Sequence, residues 1–414
     1  MLYEEVLVDI EQAKNANLPD RLIPKLEKRR NDSLKLMSTV ERMKLIEPTL
    51  DYEADKNFPC MVNVVEIKYN AEFGRNLVAK CDIPVGKTVV LERDIPQIRD
   101  DLLTCNTCLR LYTNCFACPN CADATFCSLN CLNRNRIHKS ECGTFFPHLD
   151  LEMRFQIKML LMAIDSFPDV DSLMQFVEHA LLKDPETLPT SLDDPNSKYY
   201  FFFKLATSAP YIFGPSEAYK VYKAAMNLPK VSGLFDSDRK KRFLMHLVMH
   251  HTLISNANSF GVENGTFVAN VTSLLNHSCA PNIIGYLFSS YSLNVTGRPI
   301  EKGEQLFIKY SGIDGLSTTM RKSSLKSRWG FDCKCERCEP TRAPIDRKLI
   351  TADPCYKYVA KNQHIDILYN QTESAIIKKK CVAFLNKYGR SPWSSEIEFV
   401  FKVYQHNIAT AKLV

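Results

Sequence analysis

Apolar positions along the chain follow two spacings, which predict an alternation of helices and strands. Spacings of three and four residues are typical of amphipathic helices, and they occur at 22–37, 151–255 and 355–414. Runs of β-branched and aromatic residues between Gly and Pro turns are typical of short strands, and they occur at 61–98 and 265–310. Two strand-rich stretches on either side of a long helical stretch predict one β-rich domain built from separated segments, and therefore an α+β fold.

The composition is that of an ordinary globular protein. Hydrophobic residues make up 45% and charged residues 24% of the 414 positions, which excludes a disordered or fibrous chain and leaves room for about two to four domains. No run approaches the ~20 apolar residues of a membrane span, and the acidic N-terminus does not resemble a signal peptide. We therefore expect a cytoplasmic protein, a nuclear protein or one found in both places, with no membrane partner. The net charge of +6 permits an acidic partner without indicating one.

Cysteine is the unusual residue of this chain, with 16 copies of which eight lie between Cys105 and Cys142. Without a secretory signal the thiols should stay reduced, so closely spaced pairs predict metal ligands rather than disulfides. We call residues 105–142 the finger. Its predicted ligands are Cys105, Cys108, Cys118, Cys121, Cys127, Cys131, His138 and Cys142. Eight ligands suit two closed, structural zinc sites, whose metal would supply much of the folding energy of the finger. Cys115 offers an alternative pair with Cys118, but the pair Cys118 and Cys121 leaves the other pairs intact.

A second cysteine group combines one distant residue with a cluster near the end of the strand-rich region. Its members are Cys279, Cys333, Cys335 and Cys338. Four thiolates predict a third closed zinc site, which would tie the loop at Cys279 to the later segment and so fix the position of that loop. The remaining cysteines are interpreted as ordinary thiols: Cys60, Cys81, Cys115, Cys355 and Cys381.

Three segments, 73–79, 274–282 and 303–310, together resemble the SET domain of lysine methyltransferases. Taken singly, Gly74 could be a turn glycine, His277 a core histidine and Tyr310 a strand-end aromatic residue. The finger spacing resembles the MYND zinc finger. The order of these parts resembles the SMYD family of SET and MYND domain-containing protein-lysine methyltransferases, over about residues 58–340.

The resemblance implies a split SET domain with an inserted finger and a helical insert. The implied parts are a helical N-terminal segment (1–57), the first SET part (58–104), the MYND finger (105–142), the helical insert (143–255), the second SET part (256–318), the zinc-bound post-SET segment (319–340) and a helical C-terminal region (341–414). The first part is similar to the end of the tetratricopeptide helices that one branch of the family carries. The resemblance also implies interleaved zinc binding, with Cys105, Cys108, Cys127 and Cys131 on one ion and Cys118, Cys121, His138 and Cys142 on the other.

The family further implies a binding site for the methyl donor S-adenosylmethionine. Phe73, Gly74 and Arg75 would line the donor with main-chain groups, and Gly74 would permit close approach. Asn276 and His277 would hydrogen-bond the donor, and Phe331 would stack on its adenine. Asn256 would contact the polar end of the donor, with Asn258 as the alternative register.

The implied catalytic residue is Tyr310, whose hydroxyl would orient the lysine amine and the transferred methyl. Trp329 stands where many family members carry a tyrosine, and it could either form a wall of the lysine channel or obstruct it.

Three functions follow from these features, and the first is protein-lysine methylation with a protein substrate. The second is an inactive SET and MYND scaffold that binds proline-containing peptides at the finger, for example a transcriptional corepressor. Nucleic-acid binding is the weakest of the three, because residues 105–142 hold only four basic residues against two acidic ones.

Overall fold

The computed structural model describes residues 6–7, 10–11, 13–14, 19–39, 48–93, 96–99, 104–109, 115–121, 123–184, 186–207, 215–262, 265–288, 291–310, 313, 315–343, 345–363 and 371–410. The chain divides into two compact units, residues 1–47 and 48–414. In the first unit, a single 3₁₀ turn at Asp20–Leu22 leads into helix α1, Ile23–Thr39. Helix α1 confirms the amphipathic helix predicted at 22–37. The tetratricopeptide interpretation stays a prediction, because residues 40–47 lie outside the described part of the chain.

The second unit has short strands on both sides of the finger. In chain order they are β1 Val65–Asn70, β2 Gly74–Ala79, β3 Thr88–Arg93, β4 Gln97–Arg99, β5 Phe116–Ala117, β6 Thr125–Phe126, β7 Phe260–Val262, β8 Gly265–Phe267, β9 Asn276–His277, β10 Ile283–Phe288, β11 Tyr291–Thr296 and β12 Phe307–Ile308. Apart from β5 and β6 in the finger, they lie in or beside the stretches predicted to form strands.

Strands from the two strand-rich stretches of the sequence pair with each other. Strand β3 pairs with β11 in an antiparallel sheet that β10 completes, and β4 pairs with β8. Strands β9 and β12 are parallel neighbours, and an isolated bridge joins Ile83 to Ile300. These pairings confirm the prediction of one β-rich domain assembled from separated segments.

Helices fill much of the rest of this unit. They are α2 Leu129–Arg134 and α3 Arg136–Glu141 in the finger; α4 Leu151–Asp165, α5 Val170–Leu182, α6 Pro195–Phe203, α7 Pro215–Met226, α8 Pro229–Leu234 and α9 Asp238–Asn258 in the insert; and α10 Thr318–Trp329, α11 Arg347–Ala352, α12 Pro354–Asn362, α13 Gln371–Tyr388 and α14 Ser395–Thr410 after the last strand. Single 3₁₀ turns occur at Phe146–His148 and Thr272–Leu274.

Polar caps explain where several helices of the insert begin. Asp150, Asp169, Asp194 and Ser237 each accept a hydrogen bond from the main-chain N–H three positions on. Such caps satisfy an N–H group that has no partner within the helix. Helix α9 continues to Asn258, three residues beyond the predicted end of the helical stretch at 255.

The C-terminal helices pack against one another and against the sheet that contains β10 and β11. One buried cluster joins Ile284 and Leu293 of β10 and β11 to Ile377 and Phe384 of α13 and to Phe401 of α14. Burial of these apolar side chains fixes α14 beside the β10 strand. Within the described residues, no helix combines the length and apolar character needed to cross a membrane.

Candidate active site

The finger ligands form two groups of four, in the interleaved pairing that the resemblance implies. The groups are Cys105, Cys108, Cys127 and Cys131, and Cys118, Cys121, His138 and Cys142. Within each group the ligand atoms lie within 4.8 Å of one another. The Sγ atoms of Cys108 and Cys127 are 3.5 Å apart, close to the ~3.8 Å expected for two thiolates on one tetrahedral zinc ion. The donor sets therefore fit two structural zinc ions, and Cys115 lies outside both groups.

Local capping places the ligands of the finger. Ser128 caps α2 by accepting from the N–H of Cys131 at 3.1 Å, and Asn135 caps α3 by accepting from the N–H of His138 at 2.8 Å. Burial lowers the pKa of His138, which favours the neutral imidazole that a zinc ion needs.

The third ligand group lies beside the strands that carry the SET motifs. It consists of Cys279, Cys333, Cys335 and Cys338, whose sulfur atoms also lie within 4.8 Å of one another. Arg298 donates from Nη1 to the carbonyl of Ala280 at 3.2 Å and to Glu336 Oε1 at 2.6 Å. The buried guanidinium therefore joins the loop after Cys279 to the segment between Cys335 and Cys338. The group fits a third structural zinc ion.

Two cavities of about 660 Å³ and 780 Å³ meet at the SET motifs. Phe73, Asn276 and Phe331 line both of them. The first cavity, called the motif cavity below, is also lined by Gly74, Arg75, Asn258, Tyr310 and Trp329. The second is lined by His277 and by Cys333 and Cys335 of the third ligand group. The residues predicted to bind the donor or to act on the lysine thus line these two cavities, except for Asn256.

The turn between β1 and β2 presents Gly74 to the motif cavity. Asn70 closes this turn by accepting from the N–H groups of Glu72 at 3.1 Å and Phe73 at 2.7 Å. Gly74 has a φ of +66°, in the left-handed region that favours glycine, and a Cβ built there would meet no atom within 4 Å. Asn276 Nδ2 donates to the carbonyls of Phe73 and Arg75, both at 3.2 Å. The side chain of Asn276 therefore holds the glycine turn in place.

Arg75 ties the glycine turn to the helical insert. Its largely buried guanidinium donates to the carbonyl of Lys204 and lies 3.4 Å from Glu186 through Nε. Burial lowers the pKa of Arg75. Lys204 in turn donates from Nζ to the carbonyls of Ala180, at 3.0 Å, and Lys183, at 3.1 Å, at the end of α5. The insert thus anchors one wall of the motif cavity.

Tyr310 follows β12 and is held against β9. Its main-chain N–H donates to His277 Nδ1 at 3.0 Å, and its hydroxyl donates to the carbonyl of Leu275 at 3.3 Å. Burial raises the pKa of Tyr310 to about 12, so the hydroxyl stays protonated at neutral pH.

His277 has both ring nitrogens engaged within the protein. Because Nδ1 accepts from Tyr310, Nε2 carries the proton, and it lies 3.3 Å from Cys279 Sγ. Burial lowers the pKa of His277 to about 4, so the ring is neutral at physiological pH. A donor contact from His277 would therefore use its main chain or its ring face.

Two aromatic rings complete the wall around Tyr310. Helix α10 ends at Trp329, and Gly330 adopts a φ of +82° as the left-handed cap that turns the chain toward Phe331. The ring of Tyr310 lies 4.9 Å from that of Trp329 and 6.4 Å from that of Phe331, between centroids. The Arg328 guanidinium lies over the ring of Trp329, 4.6 Å from its centroid.

Of the two asparagine registers, the structure brings Asn258 and not Asn256 to the motif cavity. Asn258 is the last residue of α9, and its Nδ2 donates to the carbonyls of Ala206 at 2.7 Å and Ile254 at 2.8 Å. Asn256, the first choice from the sequence, lines neither cavity, so the cavity lining favours the alternative register, Asn258, as the donor contact.

Other residues that line the motif cavity belong to no motif and were not predicted from the sequence. They are Phe260 and Phe267 of β7 and β8, Tyr286 of β10, and Phe401, Lys402 and Gln405 of α14. In the sequence each of these residues resembles an ordinary core or surface residue. Only the tertiary pairing of the helices and strands places them at the cavity.

A family model described as the SET domain matches residues 74–311, more than half of the chain. Potential protein lysine methyltransferase SET6 of Saccharomyces cerevisiae is 44% identical over 75 residues, covering 18% of this chain and 20% of that protein. SET domain and MYND-type zinc finger protein 6 of Schizosaccharomyces pombe is 27% identical over 274 residues, covering 65% of this chain and 50% of that protein. The chain thus spans half or less of the length of these two relatives.

Among solved structures, Rubisco LSMT bound to AdoMet aligns over 84% of this chain and 86% of its own, with 13% identity and a TM-score of 0.32. A likeness at this score supports no statement about the site.

Proposed function

Because the chain belongs to the SET domain family, we propose that it is an S-adenosylmethionine-dependent protein-lysine N-methyltransferase. One observation carries the proposal: a single cavity is lined by the turn at Gly74, by Tyr310 and by Phe331. These parts come from three distant segments of the chain, and each suits a different portion of the reaction.

The residues of the motif cavity fit the donor. The open space at Gly74 leaves main-chain groups accessible to a ligand, and the ring of Phe331 offers a face for an adenine. Asn258 presents a side-chain amide at the same cavity. When bound, S-adenosylmethionine supplies a methyl group on a sulfonium for direct displacement by an amine. Phe73, Gly74, Arg75, Asn258, Asn276 and Phe331 of the motif cavity form the proposed donor site, together with His277 from the adjoining second cavity.

Tyr310 orients the attacking amine. Its hydroxyl hydrogen is directed to the carbonyl of Leu275, so the lone pairs of its oxygen are available to accept an N–H from a lysine amine. This contact aims the nitrogen lone pair at the methyl group, which lowers the barrier through alignment. The lysine loses its proton to solvent, and the protein needs no strong base.

The three zinc groups act on structure rather than on the reaction. Each has four thiolate or imidazole ligands and no open position for a substrate. The group with Cys279 and Cys333 holds the loop at Asn276 against the segment that carries Phe331. It therefore preserves the geometry of the donor site.

The proposed partner is a protein with a target lysine, methylated in the cytoplasm, the nucleus or both. The finger is the proposed site for proline-containing peptides.

Trp329 favours a second candidate function. Its ring lies 4.9 Å from the ring of Tyr310 and would narrow the channel through which a lysine side chain enters. In that case the protein would bind the donor and act as a weakly active or inactive scaffold, for example a corepressor.

The test is methyl transfer from tritiated S-adenosylmethionine to lysine peptides and protein extracts by the zinc-loaded chain. We expect transfer by the wild type, and a loss of roughly 10²-fold in kcat for Tyr310→Phe, because one oriented hydrogen bond is removed. The matched control is Tyr200→Phe, since the Tyr200 hydroxyl bonds Thr187 in the insert and lines neither cavity. It should keep full activity.

Equal activity of Tyr310→Phe and the wild type would exclude the role of Tyr310. Donor binding without transfer to any substrate would support the scaffold, and absence of donor binding would reject the methyltransferase.

A further inference from the structure

Glu92 is a buried carboxylate that none of the motifs explains. It lies on β3, with 4% of its surface exposed. Its Oε1 accepts the main-chain N–H of Val271 at 3.0 Å and its Oε2 accepts that of Thr272 at 2.7 Å. Burial raises the pKa of Glu92, and these hydrogen bonds oppose the rise. Burying a carboxylate destabilises the folded state, so we looked for a function that explains why Glu92 is buried here.

The two N–H groups belong to the start of the 3₁₀ turn Thr272–Leu274, which forms part of the wall of the motif cavity. Leu275 continues this turn, with its N–H bonded to the carbonyl of Thr272 at 3.1 Å. The carbonyl of Leu275 is the acceptor of the Tyr310 hydroxyl at 3.3 Å. A continuous path of hydrogen bonds therefore runs from Glu92, through one turn, to Tyr310.

Strand β11 holds the same turn from a second side. Asn294 Nδ2 donates to Thr272 Oγ1 at 3.0 Å, and Ser292 Oγ lies 3.3 Å from the same oxygen. Thr272, Ser292 and Asn294 are buried. These neutral groups fix the side chain of Thr272, whereas Glu92 accepts the main-chain N–H groups of Val271 and Thr272 at the start of the turn that leads to Leu275.

We propose that Glu92 is a positioning residue for methyl transfer: its carboxylate fixes the turn whose Leu275 carbonyl orients the Tyr310 hydroxyl. This inference rests on the proposed function. A carboxylate suits the task because both of its oxygens can accept, and two N–H groups with no other acceptor meet it there.

The substitution Glu92→Gln keeps the size of the side chain but replaces one acceptor by an NH₂ donor, which would face a main-chain N–H. We expect kcat to fall by roughly 10- to 100-fold, because the Tyr310 hydroxyl moves out of line, while the dissociation constant of the donor changes by less than about threefold. In the Tyr310→Phe background the same substitution should have almost no further effect, since the two residues act through one path.

Asp353→Asn is the matched control. Asp353 is likewise buried, and it caps α12 through the N–H of Cys355 at 2.8 Å while pairing with Lys387 at 2.9 Å. It lines neither cavity. Its substitution should lower Tm at least as much as Glu92→Gln and leave kcat unchanged. Should Glu92→Gln fail to fold, Glu92→Asp keeps the charge, shortens the reach by one methylene and should lower kcat in the same direction.

A second measurement is independent of turnover. In protein labelled with ¹³Cζ-tyrosine, the Tyr310 resonance, assigned by its loss in Tyr310→Phe, should shift in Glu92→Gln and not in Asp353→Asn. An unshifted resonance, an unchanged kcat or a fully additive double mutant would overturn the positioning role. Absence of transfer by the wild type would instead reject the proposed function, and the resonance would still decide whether Glu92 positions Tyr310.

Discussion

Burial gives the Tyr310 hydroxyl its chemical character. The pKa of about 12 keeps it protonated, and the carbonyl of Leu275 directs its hydrogen away from the cavity. A neutral oxygen with free lone pairs can accept from an amine and at the same time approach a cationic sulfonium without repulsion. The same residue in water would point its hydroxyl in no fixed direction, so the burial and the acceptor together make the site.

Trp329 should control how many methyl groups a lysine can receive. Its ring lies beside Tyr310, so we expect the wild type to release monomethyl-lysine and Trp329→Tyr, which has a smaller ring system, to form more di- and trimethyl-lysine. Mass spectrometry of the product peptide measures the distribution.

Trp393→Tyr is the control for that change, because Trp393 packs on Arg298 and Phe401 and lines neither cavity. A shift of the product distribution in Trp393→Tyr as large as in Trp329→Tyr would mean that general loosening, not the volume beside Tyr310, sets the methylation state.

At the scale of elements, the segment that carries Cys333, Cys335 and Cys338 holds both the proposed donor site and the last helix. Arg337 pairs with Glu398 of α14 at 2.9 Å, and Glu336 pairs with Arg298 at 2.6 Å. Helix α14 contributes Phe401 to the motif cavity. The segment is therefore a mechanical link, and its zinc ion would matter for donor binding although it touches no reactant.

Cys335→Ser should remove one zinc ion of three and weaken donor binding by about tenfold or more, because the segment that carries Phe331 would lose its anchor. Cys121→Ser should also remove one ion but leave donor affinity unchanged, since the finger ligands line neither cavity. Metal analysis together with calorimetric titration of the donor measures both quantities. Equal loss of donor affinity in the two variants would contradict the link.

The elements themselves followed well from the chain's periodicity and turn residues. The strands beside Gly74 and Tyr310 and the helical insert were predicted because each depends on local spacing, whereas the grouping of the finger ligands followed from the family resemblance. The match to the SET domain model and the relative with a MYND-type finger confirm the resemblance to the SMYD family. Helix α9 continues to Asn258, three residues beyond the predicted end at 255, and the cavity lining favours Asn258 over Asn256 as the donor contact.

At the scale of the whole molecule, the motif cavity is a product of long-range pairing. The SET motifs supply the Gly74 turn, the Asn276 loop and Tyr310, whereas the insert supplies Asn258 and the C-terminal helices supply Phe401. Residues such as Phe401 and Glu92 could not be predicted from the sequence, because their roles depend on which distant strands pair. The local motifs indicate the chemistry, and the tertiary contacts decide its geometry.

Calorimetric titration of the zinc-loaded chain with S-adenosylmethionine, repeated on Asn258→Ala and Asn256→Ala, tests the central claim most directly. We predict one binding site in the wild type, affinity lowered by about 10- to 100-fold in Asn258→Ala, where a hydrogen bond to a charged group is lost, and unchanged affinity in Asn256→Ala. A wild type that binds no donor, or two variants that weaken binding equally, would contradict the assignment of the motif cavity as the donor site.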